Sequence, residues 1–171
     1  MARIYSRGML TLYLVILIWL VLFKTSFSIS ALMEHQHQRS LNLVPFAAPK
    51  IVDGRINYSE MIWNCIFFIP FGLLLNVNFK RVGFLPKIAL IMSISLSVEL
   101  LQYIFAIGAA DITDVITNSV GGFLGLTLYN FTNKFLGTEK LDRMIISVGF
   151  FLALIFISMQ VSLHLRRRLW K

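Results

Sequence analysis

Little of this chain is charged, and little of that charge is negative. Its 171 residues hold eight Asp and Glu against sixteen Lys and Arg, and only 14% are charged in all. An ordinary soluble domain carries about 25%. Here the charges are also missing from whole stretches, which excludes a typical cytosolic globule. One cysteine, Cys65, excludes an intramolecular disulfide framework. It lies in an apolar run, where a thiol packs as a small hydrophobe. The chain shows no Cys/His metal-ligand spacing, no Ser-His-Asp order and no Gly-rich phosphate loop. It has no repeat and no low-complexity segment. Fifteen Phe and 57% hydrophobic residues exclude disorder.

What is present is a series of apolar runs long enough to cross a bilayer, where one span takes about 20 residues. The first covers about 9–30, behind Arg3 and Arg7. Ser28 and Ser30 would suit signal-peptide cleavage. We read the run instead as an uncleaved span, with Lys24 reaching the interface by its stem. A mixed segment, 31–60, is the only long loop, with a turn at Asp53, Gly54 and Arg55. The second span covers about 61–79, with Pro70 and Gly72 in its middle, where a kink is expected. A short basic turn with Lys80, Arg81 and Lys87 leads to a third span at about 87–107. Only residues 108–111 separate it from a fourth at about 112–131, so these two form a tight antiparallel hairpin. A mixed loop at 132–143 precedes a fifth span at about 144–165 and a basic tail, Arg166, Arg167, Arg168 and Lys171. The expected fold is all-α: one domain, 1–171, forming a polytopic membrane bundle of about five transmembrane helices.

The net charge of +8 belongs mostly to turns and tails. In a membrane protein these meet anionic headgroups, so no nucleic-acid partner is implied. With the N-terminus inside, Arg3, Arg7, Lys80, Arg81, Lys87, Lys134, Lys140 and Arg143 lie on the cytoplasmic side. Arg39, Lys50 and Arg55 lie outside, and five spans put the tail outside too, against the positive-inside bias. His35 and His37 read as loop residues and His164 as interfacial. Trp19, Trp63 and Trp170 sit near predicted span ends, as interfacial anchors do.

The acidic residues are more informative. A charge within a span is costly and marks a site by default. Ser95, Glu99 and Gln102 share one face of the third span; Asp111, Asp114 and Asn118 share one face of the fourth, with Thr117 beside it. Asn64 lies near the same end of the second span. Each has a structural explanation as well. Asn64, Ser95, Gln102 and Thr117 suit interhelical hydrogen bonds. Asp111 suits a helix cap, and Asp114 a first turn. Gly121, Gly122 and Gly125 suit close helix packing. Glu99 is hardest to explain that way, because no basic residue within the spans is near it. It is expected to be protonated, or bonded to Asn64, Asn118 or water. Carboxylates and amides of this kind suit a hard divalent cation or general acid–base work. Neither pattern is specific, and no cofactor or metal ligand is assigned.

At these residues the chain resembles the VanZ-like family of small bacterial membrane proteins. The matching motifs hold Arg39, Asn42, Pro45 and Phe46 in the long loop, and Asn64, Phe67, Pro70, Phe71 and Gly72 in span two. They continue with Glu99 and Gln102 in span three, then Asp111, Asp114, Asn118, Gly121 and Gly125 in span four. Together they cover about half of the chain, 39–126. Many family members carry a Gly-Arg pair before the Asp-rich motif, where this chain has Gly108, Ala109 and Ala110. The resemblance implies an envelope protein of the bacterial cytoplasmic membrane, in a family named for low-level resistance to teicoplanin, a lipoglycopeptide. Its partners would be membrane lipids and a lipid-linked cell-wall precursor or the lipoglycopeptide. A phosphotransbutyrylase label attached to some members finds no support in these residues. Two functional readings follow, besides ion or proton passage. One is a non-enzymatic protein with an outward-facing polar cluster. The other is a membrane enzyme acting on a lipid or polyprenyl headgroup through Glu99 or Asp114.

Overall fold

The computed structural model describes residues 2–22, 40–47, 50–52, 55–106 and 109–169. Among them are five helices: α1 (Ala2–Leu22), α2 (Ser59–Asn78), α3 (Phe84–Phe105), α4 (Ile112–Leu136) and α5 (Thr138–Leu169). There are also four three-residue strands: β1 (Ser40–Asn42), β2 (Lys50–Val52), β3 (Arg55–Asn57) and β4 (Ala109–Asp111). The fold is an all-α membrane bundle. Four of the helices are long and apolar enough to cross a membrane, α1, α2, α3 and most of α5. Helix α4, expected as a span, has the length but is not apolar enough by composition, with Thr113, Asp114 and Asn118 buried along it.

Interhelical contacts fix the path. Asn78 Nδ2 donates to the Ser6 carbonyl (3.2 Å), Tyr13 Oη to the Phe67 carbonyl (2.7 Å) and Gln102 Nε2 to the Val21 carbonyl (3.1 Å). So α1 runs against α2 and with α3. Asn64 meets Asp114 at one end of α2, and Asn76 meets Leu126 and Asn130 at the other. So α4 runs with α2 and crosses the same thickness. Met9 lies against Gly149, and Trp19 stacks edge-on with Phe156, so α5 runs with α1. The five helices therefore alternate, and the expected hairpin joins α3 to α4.

The centre of the bundle is the α2–α4 seam. A Cβ on Gly121 would stand 2.1 Å from the Cys65 carbonyl oxygen, and one on Gly125 2.1 Å from that of Ile69. These contacts repeat one turn apart, which is the close backbone approach that Gly-x-x-x-Gly permits. The apolar core around the seam includes Phe68, Phe71, Leu75, Ile91 and Leu126, with Leu17 and Val21 from α1. Pro70 lies inside α2, which continues as one helix through it.

Several boundaries differ from expectation. Helix α1 begins at Ala2, before the apolar run, and residues 23–39 lie outside the described residues, with Lys24, His35, His37 and Arg39 among them. The expected loop at 132–143 is helical except for Gly137, whose φ of 73° ends α4. Leu136 and Thr138 belong to the two helices on either side. Thr132, Lys134, Glu139 and Lys140 were read as loop because they are polar. Yet polar residues extend a helix readily once it leaves the apolar layer, and the break falls at the residue that adopts positive φ without strain. In the long loop, β2 pairs antiparallel with β3, Val52 opposite Arg55; residues 53 and 54 of the expected turn lie outside the described residues.

Candidate functional site

The three carboxylates of the hairpin lie at one end of the bundle. Asp111 is the N-cap of α4, its Oδ1 accepting from Thr113 N at 2.7 Å. This satisfies one of the amide groups that a helix start leaves open. Its own N–H donates to Glu99 Oε2 at 3.0 Å. A left-handed Ala106 at the end of α3 (φ 50°) turns the chain so that this contact can form. Asp114, in the first turn of α4, accepts from Asn64 Nδ2 at 2.7 Å. One turn deeper, Asn118 Nδ2 donates to Ser95 Oγ at 2.8 Å. Asn64, Ser95, Glu99, Gln102, Asp114 and Asn118 are all buried.

Glu99 takes a backbone N–H, and Asn64 goes to Asp114. Gln102 makes an interhelical hydrogen bond as expected, from its amide nitrogen to the Val21 carbonyl of α1. Among the described residues, Gln102 Oε1 and Asn118 Oδ1 are buried acceptors at this end with no hydrogen-bond partner. Among the described residues, no three His, Cys, Asp or Glu side chains are placed to hold a metal ion.

A strap from the long loop closes this end. Strand β1 pairs parallel with β4, placing Ser40, Leu41 and Asn42 opposite Ala109, Ala110 and Asp111. Asn42 Nδ2 donates to Asp111 Oδ2 at 3.0 Å. Its Oδ1 accepts from Val44 N at 3.2 Å, an Asx turn that leads the chain on. Phe46 N donates to Thr113 Oγ1 at 3.0 Å. Of the loop motif, then, Asn42 and Phe46 reach the hairpin; Pro45 sits in the turn between them. The β1–β4 pairing is not legible from sequence, since three-residue strands 69 positions apart carry no periodic signal.

The opposite end holds a buried network that sequence reasoning missed. Lys87 was read as part of a basic turn, yet it is only 6% exposed. Its Nζ donates to Asn76 Oδ1 at 2.6 Å. Asn76 Nδ2 donates in turn to the Leu126 carbonyl (2.9 Å) and to Asn130 Oδ1 (3.2 Å). An Asn inside an apolar span was the available signal. Farther out, Asp142 pairs with Lys80 and accepts from Tyr129 Oη at 2.7 Å.

These features define a class: a small polytopic membrane bundle with a buried acidic cluster at one end, held under a strap from its longest loop. A family model described as VanZ/LLP1 matches residues 10–136. The chain belongs to that family. It is similar to a protein of Enterococcus faecium named Protein VanZ, 56% identical over 165 residues, covering 96% of this chain and 98% of that one. No solved structure matches.

Proposed function

We propose that this is an envelope protein of the bacterial cytoplasmic membrane, with the acidic end facing outward. There it binds the polar headgroup of a lipid-linked cell-wall precursor and so lowers susceptibility to lipoglycopeptides such as teicoplanin. The observation that carries this reading is the closed acidic cluster. Glu99 and Asp114 come from two helices and are buried where the bilayer makes charge costly, under a strap that reaches them through Asn42 and Phe46. Gln102 Oε1 and Asn118 Oδ1, which have no partner among the described residues, add acceptors that a hydroxyl- or amine-bearing headgroup would satisfy. The orientation rests on Arg7, Lys80, Arg81, Lys134, Lys140 and Arg143, which the helix directions gather at the other end.

The test is expression in a teicoplanin-susceptible bacterium. The wild-type chain is expected to raise the inhibitory concentration over an empty vector. Glu99→Gln and Asp114→Asn are expected to abolish that rise while reaching the membrane at wild-type level. Wild-type protein in the membrane with no rise in resistance would defeat the reading. The competing reading, an enzyme acting on a lipid headgroup, predicts that the purified protein converts a polyprenyl-linked substrate to a new product. Divalent-ion dependence of melting in detergent, abolished by chelator, would add a metal to either reading.

A further inference from the structure

The strap over the acidic end has an outer face that stays exposed among the described residues. Residues 40–49 contain no charged side chain, and Arg39 and Lys50 flank them in sequence. Leu41, Leu43, Val44 and Phe46 are each more than half exposed. They are not exposed by slackness, because the backbone beneath them is pinned at Asn42 and Phe46. The turn itself directs Phe46 outward. Ala47 N donates to the Val44 carbonyl at 3.3 Å, with Pro45 at the second position and Phe46 at the third. Phe46 has φ 59°. That is the pattern of a type II turn, whose third position favours Gly or Asn. A bulky aromatic in that conformation is strained and persists only where the surroundings hold it. Here Thr113 Oγ1 holds its N–H.

We propose that the strap is a membrane-interface element. Leu41, Leu43, Val44 and Phe46 enter the headgroup–acyl boundary of the leaflet at the acidic end, and an anionic lipid surface is their partner. Three features select lipid over a protein partner. At the start of α2, at the same end of the bundle, Tyr58, Ile62 and Trp63 are also more than half exposed. These are interfacial and lipid-facing residue types. The flanking basic residues match anionic headgroups. The face is built on a segment tied to the end of the helices, which sets it at the depth where they leave the apolar layer. The inference is independent of any headgroup bound by the acidic cluster.

The test places an environment-sensitive fluorophore on Val44→Cys, with Cys65→Ser removing the native thiol. The full chain is reconstituted in vesicles of phosphatidylethanolamine and phosphatidylglycerol. Lipids spin-labelled near the headgroup are expected to quench most of the emission, and aqueous iodide little of it. Removing phosphatidylglycerol is expected to weaken the lipid quenching. Strong iodide quenching with little lipid quenching would overturn the proposal. So would protection from both quenchers, which would mean that protein covers the face. Phe46→Gly separates anchoring from folding. Glycine relieves the turn, so melting in detergent is expected to hold or rise, while lipid quenching at position 44 falls. Lowered melting with unchanged quenching would assign Phe46 to the fold and overturn its role in lipid.

Discussion

At one end of the bundle a lysine, Lys87, lies buried against Asn76; at the other, Glu99 and Asp114 lie buried against a backbone N–H and an amide. Both ends thus take ionisable groups into the interior, but they close over them differently. The buried lysine network is made wholly from helices. Asn76 bridges α2 to α4, through the Leu126 carbonyl and Asn130, while receiving Lys87 from α3. Nothing there can be exposed without parting helices. The acidic end is closed by residues 40–47, which reach it through a short parallel pairing and two side-chain hydrogen bonds. Such a segment can open locally at a free energy well below that of global unfolding. On the proposed function, the lysine network belongs to architecture and the acidic cluster is the working end.

The largest expected effect removes both ends at once. In Gly121→Ala the new methyl would meet the Cys65 carbonyl oxygen at 2.1 Å. The obstacle is backbone, so it cannot swing aside, and the cost is expected to be about 3 kcal/mol. Gly8→Ala is the control, since nothing lies within 4 Å of that position. Thermal unfolding in detergent reads both. A Gly121→Ala chain melting like wild type would show that the seam has slack and that the two ends are not joined through it.

Next come the ends taken singly. Asp114→Ala leaves the buried Asn64 amide without its acceptor, at a cost of about 1–3 kcal/mol. Lys87→Met leaves Asn76 Oδ1 without its donor, a loss of similar size. Glu99→Gln keeps the shape and an oxygen for the Asp111 N–H, so its cost is expected to stay below about 1 kcal/mol. Stability therefore does not distinguish the ends, but function does. Lys87→Met is expected to keep the proposed teicoplanin phenotype in whatever protein folds, and Glu99→Gln to lose it in protein that folds well. Loss of the phenotype in both, at matched membrane levels, would break the comparison.

The strap comes third. Asn42→Ala removes a part-buried bond to Asp111 and the Asx turn, worth about 1 kcal/mol. Its cost is expected to appear as faster hydrogen exchange at the Phe46 and Thr113 amides, with little change in global melting. Equal acceleration at amides along α2 and α4 would show that the strap is part of the global fold and not a separable closure.

How far the sequence foretold these two ends differs for a physical reason. The helices and the acidic residues were legible because both obey short-range rules. Apolar runs give spans, and spacings of three and four put Glu99 with Gln102 and Asp114 with Asn118 on single faces. The strap was not legible. The motif with Asn42 and Phe46 stood out only as a family resemblance, and its pairing with Ala109 and Asp111 depends on where the hairpin ends. Lys87 was misread because a lysine beside Pro86 at a span start looks like a turn residue. Only the position of Asn76 on the neighbouring helix shows why it is buried. Asn64 reached Asp114, and Glu99 reached the Asp111 backbone, through choices among nearby partners that helix spacing alone leaves open.

The smallest expected effect lies at the surface of the lysine end, where Lys80 pairs with Asp142. Lys80 is roughly half exposed, and exposed ion pairs contribute about 0–1 kcal/mol. Asp142 also accepts from Tyr129 Oη, so removing the lysine leaves the carboxylate hydrogen-bonded and reachable by water. Lys80→Ala is therefore expected to cost less than about 0.5 kcal/mol, and the difference from wild type is expected to shrink as salt screens the pair. Asp142→Ala is expected to cost more, because it strips the part-buried Tyr129 hydroxyl of its acceptor. Melting of the two variants at low and high salt reads this. If Lys80→Ala were as damaging as Lys87→Met, the network at this end would extend to the surface, and its division into a buried lysine that holds helices and an exposed one that does not would fail.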